Sequence, residues 1–150
     1  MQGLLAHILM LVAGVGIPVM AALNAHLGAR LQSPLAAVAV LSGVALVFTL
    51  GLMATQPRAN WQALSSAPPP LLLAGLLFVL YIGGITWTAP RIGLGNAVLM
   101  VLVGQLVSAA LIDHFGLAGA IAAPLTFQRV TGLSLVVIGA LLARKDLAGP

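Results

Sequence analysis

Few side chains in this sequence could do chemistry, and the densest group of them is GQLVSAALIDHFG, residues 104–116, which carries Gln105, Ser108, Asp113 and His114. Asp113 is one of only two acidic residues, so any titrating or gating carboxylate in the apolar part of the chain has to be this one, with His114 beside it as a second proton-binding group. Gln105 sits within the apolar run itself. An amide there needs a hydrogen-bond partner, supplied either by a neighbouring helix or by solute and water in a cavity. His7, Asn24 and Tyr81 are the other polar candidates. The three histidines, His7, His26 and His114, lack ligand spacing and there is no cysteine, so neither a metal site nor a cofactor is expected. Nor does any serine sit beside a positioned base, and no glycine-rich loop could cradle a phosphate, which makes an enzyme the weaker class.

What must position these residues follows from composition. Hydrophobic residues make up 61% of the chain and charged residues 5%, with a mean hydropathy of +1.18, which a solvated globular surface cannot accommodate. The chain is therefore read as an all-α integral membrane protein. Its net charge of +4 comes from scattered arginines and one lysine, which suit interfacial anchoring and not nucleic acid.

A helix needs about 20 apolar residues to cross the hydrocarbon core. Five runs are candidates: Leu4 to Leu27, Leu35 to Ala54, Leu71 to Ala89, Leu94 to Ile112, and Leu125 to Ala143. Ser33-Pro34 reads as a helix start, Thr55 to Pro70 as a polar linker, Pro90-Arg91 with Gly93 as a tight turn, and Asp113 to Pro124 as the longest break. The fifth run is the weakest, since Gln128 and Arg129 must lie near the interface. Met1-Gln2-Gly3 supplies no basic n-region, and the first apolar stretch exceeds an h-region, so it is expected to stay in the membrane. No segment between runs is long enough for a soluble domain.

Arg30, Arg91, Arg144 and Lys145 fall on one side of this arrangement, and Arg58 with Arg129 on the other. That favours an outside N-terminus and a cytoplasmic C-terminus, with a margin small enough to allow both orientations. At about 100° per residue, small residues line up into stripes where helices can approach closely. His7, Gly14, Pro18, Ala21, Ala25 and Gly28 form one on the first run; Gly93, Ala97, Gly104 and Ser108 one on the fourth; Gln128, Gly132, Gly139 and Ala143 one on the fifth. Tyr81, Gly84 and Thr88 share a face of the third run, where Tyr81 and Thr88 could line a cavity. Trp87 reads as an interfacial belt residue.

Asn24-Ala-His-Leu-Gly28, Ser33-Pro34, Ala89-Pro90-Arg91-Ile-Gly93 and the Gly-Gln…Asp-His-Phe-Gly segment occur in an order and spacing that resembles the YdcZ-type exporters of the drug/metabolite transporter superfamily. The likeness covers nearly the whole chain, and its last segment is the most specific part. Gly132-Leu-Ser-Leu-Val-Val-Ile-Gly139 is similar to the glycine heptad with which small multidrug resistance proteins pair their last helices. The resemblance implies a bacterial inner-membrane exporter of a drug or metabolite. It also implies a bundle of five transmembrane helices that forms one half of an inverted-repeat transporter, completed by a second copy or a homologous five-helix chain. One departure matters. Small multidrug resistance proteins carry a glutamate in the first helix as the shared proton and cation site, and no acid occurs here before Asp113, so simple proton/cation antiport does not carry over.

Position along the runs sorts the polar residues further. His7 lies near a helix start, which favours an interfacial imidazole over a proton carrier. Asn24 lies near a helix end, which favours capping or headgroup contact over substrate binding. Asp113 is about 80° around the helix from Gln105. A continuous relay is therefore disfavoured, and Asp113 and His114 are expected to close the fourth helix, held by hydrogen bonds or by Arg129, with a gating pair as the sharper alternative. Gly132, Gly139 and Ala143 are the expected dimer contact. A non-transporting accessory or assembly subunit is the alternative to a transporter.

Overall fold

Backbone N–H and C=O groups in a hydrocarbon phase have no water to bind, so an apolar run must satisfy them internally, and helix is the local way to do so. The computed structural model describes residues 2–56 and 59–144. Among these residues the regular elements are all helical: α1 Gln2–Arg30, α2 Pro34–Met53, the single-turn α3 Gln62–Ser65, α4 Pro69–Ile92, α5 Leu94–Phe115 and α6 Phe127–Leu142, with a 3-10 turn at Leu117–Gly119. α1, α2, α4 and α5 are 20 to 29 residues long and apolar enough to cross a membrane. α6 has 16 residues, which extend about 24 Å against a core of roughly 30 Å. Four helices thus have spanning length, and the fifth run forms a shorter one that starts only at Phe127, where the Thr126 hydroxyl caps it by accepting the Arg129 N–H at 3.3 Å. Arg58 and Lys145, both used in the charge count, lie outside the described residues, as does Asp146.

Two helix ends differ from the sequence expectation, for local reasons. α1 continues through Gly28 to Arg30, because glycine inside a helix costs at most about 1 kcal/mol and its missing side chain is used for packing. α4 continues through Pro90 to Ile92, since proline in the last turn removes a single backbone donor. Gly93 makes the whole turn into α5 with φ 85, a conformation that L side chains rarely adopt.

The chain divides into two compact units, Met1–Arg91 and Ile92–Pro150. In the first, burial is confined to one end. Ala21, Asn24, Ala25 and Gly28 of α1, Ala37 and Val38 of α2, and Ile82, Ile85, Thr86 and Ala89 of α4 are buried. Small residues dominate this cluster because bilayer helices gain nothing from apolar burial alone and associate where backbones can approach. A Cβ on Gly28 would stand 3.0 Å from Thr86 Cγ2 and 3.4 Å from Pro34 Cα, so α1, α2 and α4 come together at this glycine. The chain enters α2 there through Ser33, whose Oγ accepts the Ala36 N–H at 3.2 Å while Pro34 occupies the first turn. Leading away from the cluster, residues 3–17, 43–52 and 69–80 are all exposed.

In the second unit α5 and α6 pack as a helical hairpin. Gly116, with φ 60, ends α5 in the left-handed conformation, and its N–H reaches back to the Ile112 and Asp113 carbonyls. Asn96, Ala97 and Ala110 of α5 and Ala140 of α6 are the buried residues of the two helices.

Candidate functional site

α5 carries the polar residues of greatest interest and sorts them by depth and face. Gln105 lies near the middle of the helix. Its side chain is exposed, on the opposite side of α5 from Val107, Ala110 and Leu111, which meet α6 across a cleft of about 490 Å³. Apart from Ser134, the residues lining that cleft are apolar, and Gln105 is not among them. No hydrogen bond engages the Gln105 side chain among the described residues. Ser108, one turn on, is exposed too. Its hydroxyl donates within the helix, 2.8 Å from the Gly104 carbonyl and 3.1 Å from that of Gln105, so it asks for nothing further. The result is an open amide at mid-span on an outward face.

At the C-terminal end of α5 the chemistry is closed. Arg129 forms an ion pair with Asp113 Oδ2, and its other terminal nitrogen donates to the Ala123 carbonyl at 2.8 Å. The Asp113 carbonyl accepts the Ala123 N–H at 2.8 Å, and His114 Nδ1 accepts the Leu125 N–H at 3.1 Å. His114 also stacks edge-on against Phe115 at 4.7 Å. Two side chains and a carbonyl of α5 thus hold the connection that leads into α6. Asp113 and Arg129 are each about a third exposed, which limits what their pairing contributes. Asp113→Asn should therefore lower stability by no more than about 1 kcal/mol. Thermal unfolding in mild detergent measures it, and a loss several times larger would mean that the pair carries the hairpin.

The remaining candidates separate. His7 is exposed in the second turn of α1, where Nδ1 donates to the Gly3 carbonyl at 2.5 Å. Asn24, expected near a helix end, is buried well inside α1 because the helix continues past it, and its Nδ2 donates to Thr86 Oγ1 at 2.7 Å. Thr86 in turn donates to the Ile82 carbonyl at 2.6 Å, so this pair is satisfied within the packing of α1 on α4. Tyr81 is half-buried, and its hydroxyl is buried without a hydrogen-bond partner among the described residues. Gly132 and Gly139 on α6 and its C-cap Ala143 are exposed, and a Cβ on either glycine would meet nothing within 4 Å. Thr86 and Asn96, both buried, were not singled out by the sequence: Thr86 is close to the Tyr81/Thr88 face in number but turned away from it, and Asn96 donates to the Ile92 carbonyl at 2.9 Å in the first turn of α5.

The helices, the Gly93 turn and the Asp113–Arg129 closure extend over the stretch, residues 5–142, that matches the family model described as "Putative inner membrane exporter, YdcZ". The chain belongs to this family. It is accordingly a multi-pass inner-membrane protein of an exporter family, and its matched region reaches from the first turn of α1 to the last residue of α6. No curated protein and no solved structure matches it.

Proposed function

We propose that the chain is an inner-membrane exporter of a small molecule that works as a pair of five-helix halves, with the solute path running along the face of α5 that carries Gln105. The observation that carries this reading is the open amide: Gln105 is exposed at mid-helix in a segment of spanning length. Facing lipid, it would forgo hydrogen bonds at a cost of about 1–3 kcal/mol. Facing a second chain across a hydrated path, it would have both partner and purpose. The small share of each apolar window that is buried within the chain, 6% to 17%, also supports assembly with another copy. On this reading Asp113 and His114 hold the end of α5 and do not carry protons.

Flux into liposomes containing only this chain tests the function. A chain that moves no solute alone, and does so only with a larger copurifying membrane complex, would be an accessory subunit. Pairing is tested separately at the fifth run. Gly139→Leu places a branched side chain on the exposed stripe and should shift the protein from dimer to monomer in mild detergent. A wild-type monomer, or an unchanged dimer in the variant, would remove α6 from the contact. We place the N-terminus outside, with both orientations present if the pair is inverted. The chain has no native cysteine. Single replacements Leu31→Cys and Asn60→Cys therefore report opposite faces, and labelling of each from one side only would exclude an inverted homodimer.

A further inference from the structure

We infer that the solute is uncharged and is recognised by neutral hydrogen-bonding groups; the inference rests on the transporter reading above and concerns what the path can hold. An ion near the bilayer centre without a countercharge costs about 2.5–3.5 kcal/mol or more, so a path for ions has to offer an opposite charge or an aromatic face. Among the described residues the carboxylate and the Trp87 face are already engaged, and the rings left uncovered on the spanning helices, Phe48 and Phe78, offer a weaker cation-binding face than tryptophan. Asp113 is the one acidic residue within the described helices, and it is tied to Arg129, whose second nitrogen is held by the Ala123 carbonyl. The ring face of Trp87, the aromatic best suited to an organic cation, is covered by the Arg91 guanidinium at 3.9 Å, and Arg91 is further fixed by donating to the Trp87 carbonyl. Arg30 closes α1 with its Nε donating to His26 Nε2 at 3.1 Å, and Arg91 stands in the last turn of α4, so both cations are at helix ends. His7 is in the second turn of α1.

What the helices hold between their ends is neutral. Asn24 and Thr86 answer each other, Asn96 and Ser108 bond to backbone carbonyls, and the groups left open among the described residues are neutral too: the Gln105 amide, the hydroxyls of Ser42, Thr49, Thr88 and Ser134, and the Tyr81 hydroxyl, which is buried with its donor unfilled. Gln105, exposed on α5, can both donate to and accept from a neutral solute carbonyl or hydroxyl. A second copy brings the same residues and, among the described ones, no new free countercharge, so pairing leaves the mid-helix chemistry neutral.

The test separates a bacterial metabolite extract by ion exchange at pH 7 into cationic, anionic and unretained fractions, each added to the purified chain in detergent. The unretained fraction should raise the thermal midpoint in a concentration-dependent way, and Gln105→Leu should lose most of that shift. Stabilisation confined to either retained fraction overturns the inference. So does saturable tetraphenylphosphonium uptake into liposomes that Asp113→Asn abolishes, an outcome that leaves the transporter reading standing. Stabilisation by no fraction, together with no flux of any of them, overturns both.

Discussion

Replacing Gln105 by leucine is expected to reduce transport roughly tenfold while the protein stays folded and membrane-inserted. The size follows from removing one solute hydrogen bond of about 1.4 kcal/mol, and the selectivity follows from where the residue stands. Gln105 is exposed and makes no side-chain hydrogen bond among the described residues, so leucine leaves no internal partner stranded and overpacks nothing. Leucine also raises helix propensity slightly and suits a lipid-facing surface. The measurement is initial flux per folded molecule in liposomes, across pH, with Asp113→Asn beside it. Asp113→Asn should change the thermal midpoint and leave flux per folded molecule nearly unchanged. If Asp113→Asn abolishes transport and its pH dependence while Gln105→Leu is silent, the roles are reversed and the carboxylate is the working group.

Gly28→Leu should produce the largest loss of folded protein. The first atom of the new side chain already meets Thr86 Cγ2 at 3.0 Å and the backbone of Pro34 at 3.4 Å, and three more carbons have to be placed beyond it. Overpacking of this kind costs about 1–3 kcal/mol, and more when the obstacle is backbone. The neighbouring Asn24–Thr86 hydrogen bond would be pushed apart at the same time, so the insult falls where α1, α2 and α4 come together. Gly28→Ala is the graded control, because Thr86 Cγ2 can yield by a few tenths of an ångström. Monodisperse yield in mild detergent should fall in the order wild type, alanine, leucine, and an equal yield for all three would show that this approach does not hold the unit together.

The spanning helices were legible in the sequence because long apolar runs admit no other backbone solution in a bilayer. α2 Pro34–Met53 and α5 Leu94–Phe115 lie over the apolar runs Leu35 to Ala54 and Leu94 to Ile112, the Ser33-Pro34 helix-start signal stands at the head of α2, and the few cations near the end of the fourth run leave Arg129 as the partner within reach of Asp113. The small-residue stripe of α1 was right where it mattered, at Ala21, Ala25 and Gly28, and says nothing for its other half, where His7 and Gly14 are exposed. On α4 the periodicity pointed to Tyr81, Gly84 and Thr88, whereas the buried face is Ile82, Ile85, Thr86 and Ala89, one position around the helix. Where nearly every residue is apolar, hydropathy does not distinguish an inward face from an outward one.

Composition and run length by themselves thus determined that the chain is helical and lies in a membrane, and that it holds a single acid before its last helix. Only the tertiary structure decided which polar groups are used up. Asn24 finds Thr86 across 62 residues of chain, Asp113 finds Arg129 around a loop closed by Gly116, and Gln105 is left open. The physical reason is that a polar side chain in a bilayer is strongly driven to find a partner, and whether it finds one depends on how helices approach in space. That approach is set by the absence of a side chain at Gly28 as much as by any group the sequence displays.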